Sequence, residues 1–200
     1  MRDSDNILEV LDLKPDFMGF IFYRDTPRFV GDDFILPRKM PSSTKRVGVF
    51  VNESTESIMN KVNRYELDFV QLHGAETPEQ CRELREEGVG VIKVFSVDDN
   101  TDFDLTDPYR HVVDYFLFDT KGKRYGGNAT RFSWDVLSKY DQSVPFFLSG
   151  GITPENVSEI SMLRNYNLFA IDINSGVEVR PALKDADKIR AIKKVITTKQ

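Results

Sequence analysis

Cysteine occurs once in the 200 residues, at position 81, so no intrachain disulfide can form. Histidine is almost as scarce, with two residues, and no His or Cys set stands at metal-ligand spacing. Neither a GxGxxG nor a Walker A pattern occurs, which leaves a nucleotide cofactor without support. No apolar run approaches the roughly 20 residues that cross a bilayer. The first ten residues, "MRDSDNILEV", are too polar and charged for a secretory signal. These absences read together as a reducing, cytoplasmic setting. A block of basic residues is also lacking. The net charge is −5 with Lys and Arg dispersed, which argues against nucleic acid or an anionic membrane as partner. A phosphorylated small molecule stays possible, because backbone N–H groups bind phosphate without a basic patch.

What is present is a repeating pattern. Hydrophobic residues make up 40% of the chain, enough for one sizeable core, and 15 Phe supply bulk. Short apolar runs recur: "FMGFIFY" (17–23), "RVGVFV" (46–51), "FVQLHG" (69–74), "VGVIKVF" (89–95), "YFLFDT" (115–120), "PFFLSGG" (145–151) and "LFAIDINSG" (168–176). They are nearly continuous rather than alternating, the mark of strands covered on both faces, as in a parallel sheet.

Helical patterns fall between them. "STESIMNKVNRYE" opens on a Ser/Thr cap, and "TPEQCRELREEG" has Thr at N-cap, Pro at N1 and Gly at its end. "TPENVSEISML" repeats that opening, "SWDVLSKY" is shorter, and "DADKIRAIKKVI" closes the chain. Residues 31–44 and 98–113 have room for a turn or two of helix each. Ser4 or Asp5 is a plausible N-cap for a helix carrying Ile7, Leu8 and Leu11. Thus the chain opens on a helix where its later helices follow strands. No composition break divides it, so residues 1–200 read as a single domain. Seven strands fit an open doubly wound sheet, or a (β/α)₈ barrel whose first strand lies upstream of Met1.

Barrel chemistry sits at the carboxyl ends of the strands. There the sequence places His73-Gly74, Asp119-Thr120, Ser149-Gly150-Gly151 and Asn174-Ser175-Gly176, with Asp172 inside an apolar run. The glycines of "SGGITPENV" and "NSGVE" either make tight turns or let the backbone cradle an anion; at the last two loops of a barrel the second reading gains weight. Asp119 either caps a turn or serves as acid or base beneath the long loop that follows it. Asp172 is expensive to bury unpaired and so faces the cavity or a cation. Arg28 could hold a carboxylate in a fork, although the residues alone favour a solvated loop arginine. Cys81 reads as a small core residue. His73 and Gln71 share one side of a strand and receive no role.

The ordered segments "GFIFYRDTPRFV", "VGVFVN", "DFVQLHGAETPEQC", "FLFDTKGKRYGGNATRFSW", "FFLSGGITPENV" and "AIDINSGVEVRPALKD" resemble the phosphoribosylanthranilate isomerase family along nearly the whole chain. The resemblance implies a (β/α)₈ TIM barrel of tryptophan biosynthesis. Its reaction is the Amadori rearrangement of N-(5-phosphoribosyl)anthranilate to 1-(2-carboxyphenylamino)-1-deoxyribulose 5-phosphate. No cofactor or metal is implied, since the substrate's own amine supplies the electron sink. By position, Asp119 matches the general acid, Arg28 the anthranilate-side arginine, and Asp172 the last-strand aspartate near the substrate. Gly150, Gly151, Ser175 and Gly176 match the phosphate loops. The implied partner is thus a small phosphoribosyl molecule.

The chain departs from the family pattern in places. Thr26-Pro27-Arg28 stands for Ser-Pro-Arg, Gly126-Gly127-Asn128-Ala129 for Gly-Gly-Thr-Gly, and Pro181-Ala182-Leu183-Lys184-Asp185 for Pro-Gly-x-Lys-Asp. The family's first strand, ending in the Cys that acts as general base, has no counterpart, since Met1 to Ile7 aligns just after it. Cys81 cannot replace that base from its position. Two expectations follow: an isomerase impaired by loss of its base, or a barrel that binds a phosphosugar or a partner without turnover. An epimerase of ribulose phosphate fits less well, since its metal ligands are missing. A barrel short of one strand would also expose two edges through which copies associate.

Overall fold

Continuous apolar runs need cover on both faces, and the fold supplies it. The structure, a computed structural model, describes residues 1–37, 40–120 and 133–197. The seven expected runs form β1 (Phe17–Ile21), β2 (Lys45–Phe50), β3 (Phe69–Leu72), β4 (Gly90–Val97), β5 (Tyr115–Thr120), β6 (Phe146–Leu148) and β7 (Leu168–Ile171). They make one sheet in chain order, with every neighbouring pair parallel. One face packs Val47, Ile92, Val94, Leu117 and Phe147 together on the inside of the curl. The other face buries Phe20, Phe50, Leu72, Phe116 and Phe118 against the outer layer, with Ile58 and Leu84 from the helices.

That outer layer contains α1 (Ser4–Leu11), α2 (Thr55–Tyr65), α3 (Pro78–Glu86) and α4 (Ala186–Thr197). The cap of α1 is Asp3 rather than Ser4 or Asp5. Its carboxylate accepts from the Asn6 N–H, and Ile7, Val10 and Leu11 turn inward. Ser54 and Thr77 cap α2 and α3 as their sequences imply. The remaining crossovers are tighter than the sequence pattern implies. Residues 103–109, 134–139 and 157–163 are 3₁₀ helices, and the described parts of 31–44 contain no helix. A hairpin of β8 (Glu178–Arg180) and β9 (Leu183–Lys184), not foreseen, follows the last sheet strand.

Among the described residues β1 pairs only with β2 in the sheet, and β7 only with β6. The sheet nonetheless curls until its edges face each other, and the rings of Phe17 and Phe169 lie 6.0 Å apart across the opening. Phe17 also meets Phe69 and Phe147 edge-on, so aromatic rings fill the amino end of the curl. The backbone nitrogen of Met1 donates to the Gly19 carbonyl on the free side of β1 at 2.7 Å. No described helix is long and apolar enough to cross a membrane.

Candidate active site

Side chains alternate faces along a strand, so the inner-facing core residues fix which polar residues look into the curl. Leu117 is inner, and Asp119 lies two residues on; Phe147 leads likewise to Ser149, Ala170 to Asp172, and Phe69 to Gln71 and His73. All of these polar residues fall at the carboxyl ends of their strands. They line a cavity of about 620 Å³ that runs from this end toward the opening between β1 and β7. Every residue singled out from the sequence borders it: Arg28, Asp119, Gly150, Gly151, Asp172, Ser175 and Gly176.

The two glycine loops touch. A side chain at Gly176 would place its Cβ 2.0 Å from the Ile152 carbonyl oxygen, and one at Gly150 would come 2.2 Å from Thr120 Oγ1. Gly150 also has φ +91, which disfavours other residues. Asn156 ties the first loop down, accepting from the Thr153 N–H and donating to the Gly151 carbonyl. Among the described residues, no backbone hydrogen bond outside the helices and strands uses the N–H of Gly150 or Gly151 as donor. The two loops in contact thus bring backbone N–H groups together at one place on the cavity wall, a surface suited to an anion.

The carboxyl groups lie deeper. Ser149 Oγ donates to Asp172 Oδ2 at 3.1 Å. Burial, reinforced by the negative charge of Asp119, pushes the Asp172 carboxyl above its ordinary range, against the pull of Lys184 and Ser149. Asp119 accepts from the Thr120 N–H, and its other oxygen lies 3.5 Å from His73 Nε2. Gln71 Nε2 stands 3.5 Å from the other ring nitrogen of His73. A carboxyl held toward its protonated form beside a second carboxyl is an arrangement suited to proton transfer.

Arg28 differs most from the sequence reading. It is no solvated loop arginine, because its Nε and Nη2 grip Glu178 side-on, with Nη2 to Oε2 at 2.6 Å and both side chains mostly buried. Burial acts to raise the Glu178 carboxyl, but the Arg28 hydrogen bonds and the Lys184 charge outweigh it and hold it below the usual range. Sequence reasoning passed over Glu178 and Lys184, and gave no role to Ser149 or His73, which it placed at strand ends. The first two stand within the resembling "NSGVE" and "KD" segments, the only signal available. Cys81 is fully buried on α3, and burial pushes its thiol up to about 12, which suits a core residue. The loop with Gly126-Gly127-Asn128-Ala129 lies outside the described residues.

A curled parallel sheet with carboxyl groups and glycine loops gathered at its carboxyl ends defines an α/β protein of the TIM-barrel-like class. The chain matches the family model described as N-(5'phosphoribosyl)anthranilate (PRA) isomerase over residues 1–195. It is 46% identical over 193 residues to the N-(5'-phosphoribosyl)anthranilate isomerase of Parabacteroides distasonis, covering 95% of this chain and 87% of that one. The Phocaeicola vulgatus enzyme of the same name is 44% identical over 185 residues, covering 92% and 89%. Among solved structures, phosphoribosyl anthranilate isomerase from Thermotoga maritima superposes with a TM-score of 0.85 at 33% identity, over 99% of this chain and 96% of that one. A phosphoribosyl anthranilate isomerase in complex with reduced 1-(o-carboxyphenylamino)-1-deoxyribulose 5-phosphate gives 0.81 at 32% identity, over 99% and 95%. The chain belongs to the N-(5'-phosphoribosyl)anthranilate isomerase family.

Proposed function

We propose that this chain carries the isomerase site of its family and works in tryptophan biosynthesis, taking N-(5'-phosphoribosyl)anthranilate as substrate. One observation carries the reading: all seven positions singled out from the sequence border one cavity. The phosphate sits on the N–H groups of Gly150, Gly151, Ser175 and Gly176. The anthranilate carboxylate meets the edge of Arg28 that Glu178 leaves open. Asp119 protonates the ribose ring oxygen and the ring opens to an iminium; transfer of the C2 proton to a base, a role that none of these residues fills, would then give the enolamine that becomes the ketose. Asp172, held toward its protonated form, limits the negative charge facing the substrate.

The same proposal extends to the fold. The opening between β1 and β7, in the cavity bordered by Val10, Leu13, Ile189 and Ile192, corresponds to an eighth strand position of a (β/α)₈ barrel. The base that takes the C2 proton belongs at the carboxyl end of that position. Residues 1–200 act as one domain, in a cytoplasmic setting, and the two free edges let copies associate, which sedimentation at rising concentration would reveal.

The test uses two measurements on the chain, affinity for reduced 1-(o-carboxyphenylamino)-1-deoxyribulose 5-phosphate and consumption of the substrate. Binding of the reduced product is expected, with Asp119→Asn leaving its Kd within a few-fold while lowering kcat by about a hundredfold or more. No binding by the wild-type chain would overturn the reading, and so would a measurable wild-type turnover left unchanged by Asp119→Asn.

A further inference from the structure

Lys184 borders the cavity, yet it is not a ligand-binding group. An ammonium has three donors. Those of Lys184 reach the Asn174 carbonyl at 2.9 Å, the Asn174 side-chain oxygen, and Glu178 Oε1 at 3.1 Å. Nothing is left over for a phosphate. Glu178 is as fully engaged, accepting from Arg28, from Lys184 and from the Ala182 N–H at 3.0 Å. Each side chain is at most 8% exposed.

Building on the function proposed above, we propose that Glu178 and Lys184 are positioning residues that set the distance between the two ends of the binding cavity. One arm runs from Lys184 to Asn174, at the start of the loop carrying Ser175 and Gly176. The other runs through Glu178 to Arg28, whose Nε edge is occupied and whose Nη1 edge is free for a ligand. The joint itself is anchored. Asn6 on α1 accepts from the Lys184 N–H at 2.8 Å and donates to its carbonyl at 2.9 Å, so the backbone of β9 is clamped to the first helix. A ligand with a carboxylate at one end and a phosphate at the other therefore meets both receptors already spaced, and loses little freedom in engaging the second.

The roles separate experimentally through two fragments, anthranilate and inorganic phosphate, each titrated by ligand-observed NMR, with the reduced product as the linked ligand. Glu178→Gln is expected to weaken anthranilate tenfold or more and to leave phosphate within twofold. Asn174→Ala is expected to do the converse, weakening phosphate fivefold or more. Lys184→Met should weaken both and remove the advantage of the linked ligand over its fragments. Should Lys184→Met fail to fold, the first two variants decide alone, because each carries its own folding control in the fragment it still binds. Wild-type binding left unaltered in both, or both fragments weakened alike in both, would overturn the positioning roles and spare the functional reading. A wild-type chain that binds no fragment and no reduced product would overturn both.

Discussion

The Ser149 hydroxyl donates to Asp172 Oδ2 at 3.1 Å, joining the end of β6 to the residue just past β7. The same carboxyl is partly buried, and Asp119 is close enough to repel it, so Asp172 takes up its proton more readily in the fold than in the unfolded chain. A carboxyl displaced upward adds stability that is complete below its unfolded pKa, about 3.9, and is lost as pH rises through the displaced value. Asp172→Asn cannot ionise and should escape that loss. Its melting midpoint is expected to exceed wild type by a few degrees near neutral pH, where 1 kcal/mol corresponds to about 2–4 °C for a domain of this size. The gap should close as pH falls below about 4. Melting curves across that range check this, and a gap independent of pH would show that ionisation is not its source.

The contact between the glycine loops makes a second prediction. At Gly176 a Cβ would meet a main-chain oxygen, Ile152 O at 2.0 Å, and a backbone cannot swing aside as a side-chain end can. Gly176→Ala should push the two loops apart, at a cost of about 1–3 kcal/mol in stability. Phosphate affinity should fall with it, by tenfold or more. Gly19→Ala is the control, since its Cβ would meet only Val49, at an ordinary 3.9 Å. Titration with phosphate and urea unfolding of both variants separate loop contact from a general intolerance of glycine replacement.

The sheet and the polar face of the cavity were legible because alternation along a strand is local. Knowing that Leu117 is core places Asp119 inside, and the same count places Ser149 and Asp172. Partners distant in sequence were not legible. Glu178 lies 150 residues from Arg28, and no pattern in either segment names the other. The helix types failed for a subtler reason. "TPEQ" and "TPEN" look alike, and in the first Thr77 Oγ1 caps Gln80 N. In the second, the shorter Asn156 side chain folds back to the Thr153 N–H and the Gly151 carbonyl. There Asn156 anchors the glycine loop, and a 3₁₀ segment follows.

The last prediction concerns Lys93 and Glu76, an ion pair at 3.0 Å with side chains 3% and 0% exposed. Lys93 has the outward parity on β4, opposite to its inner neighbours Ile92 and Val94. Its ammonium reaches under the loop after β3, donating to the Leu72 and Gly74 carbonyls as well as to Glu76. Glu76 in turn accepts from the N–H groups of Asn52 and Gly74. The pair therefore holds the loop that follows His73, whose ring faces Asp119. Removing one charge strands the other in the interior, which costs about 3–5 kcal/mol. Lys93→Met is expected to lose that much in urea unfolding. The double variant Lys93→Met, Glu76→Gln should recover part of it, because the amide oxygen still accepts from the loop and no buried charge is left alone. A double-mutant cycle measures the recovery, and purely additive losses would show that the two groups stabilise the loop independently.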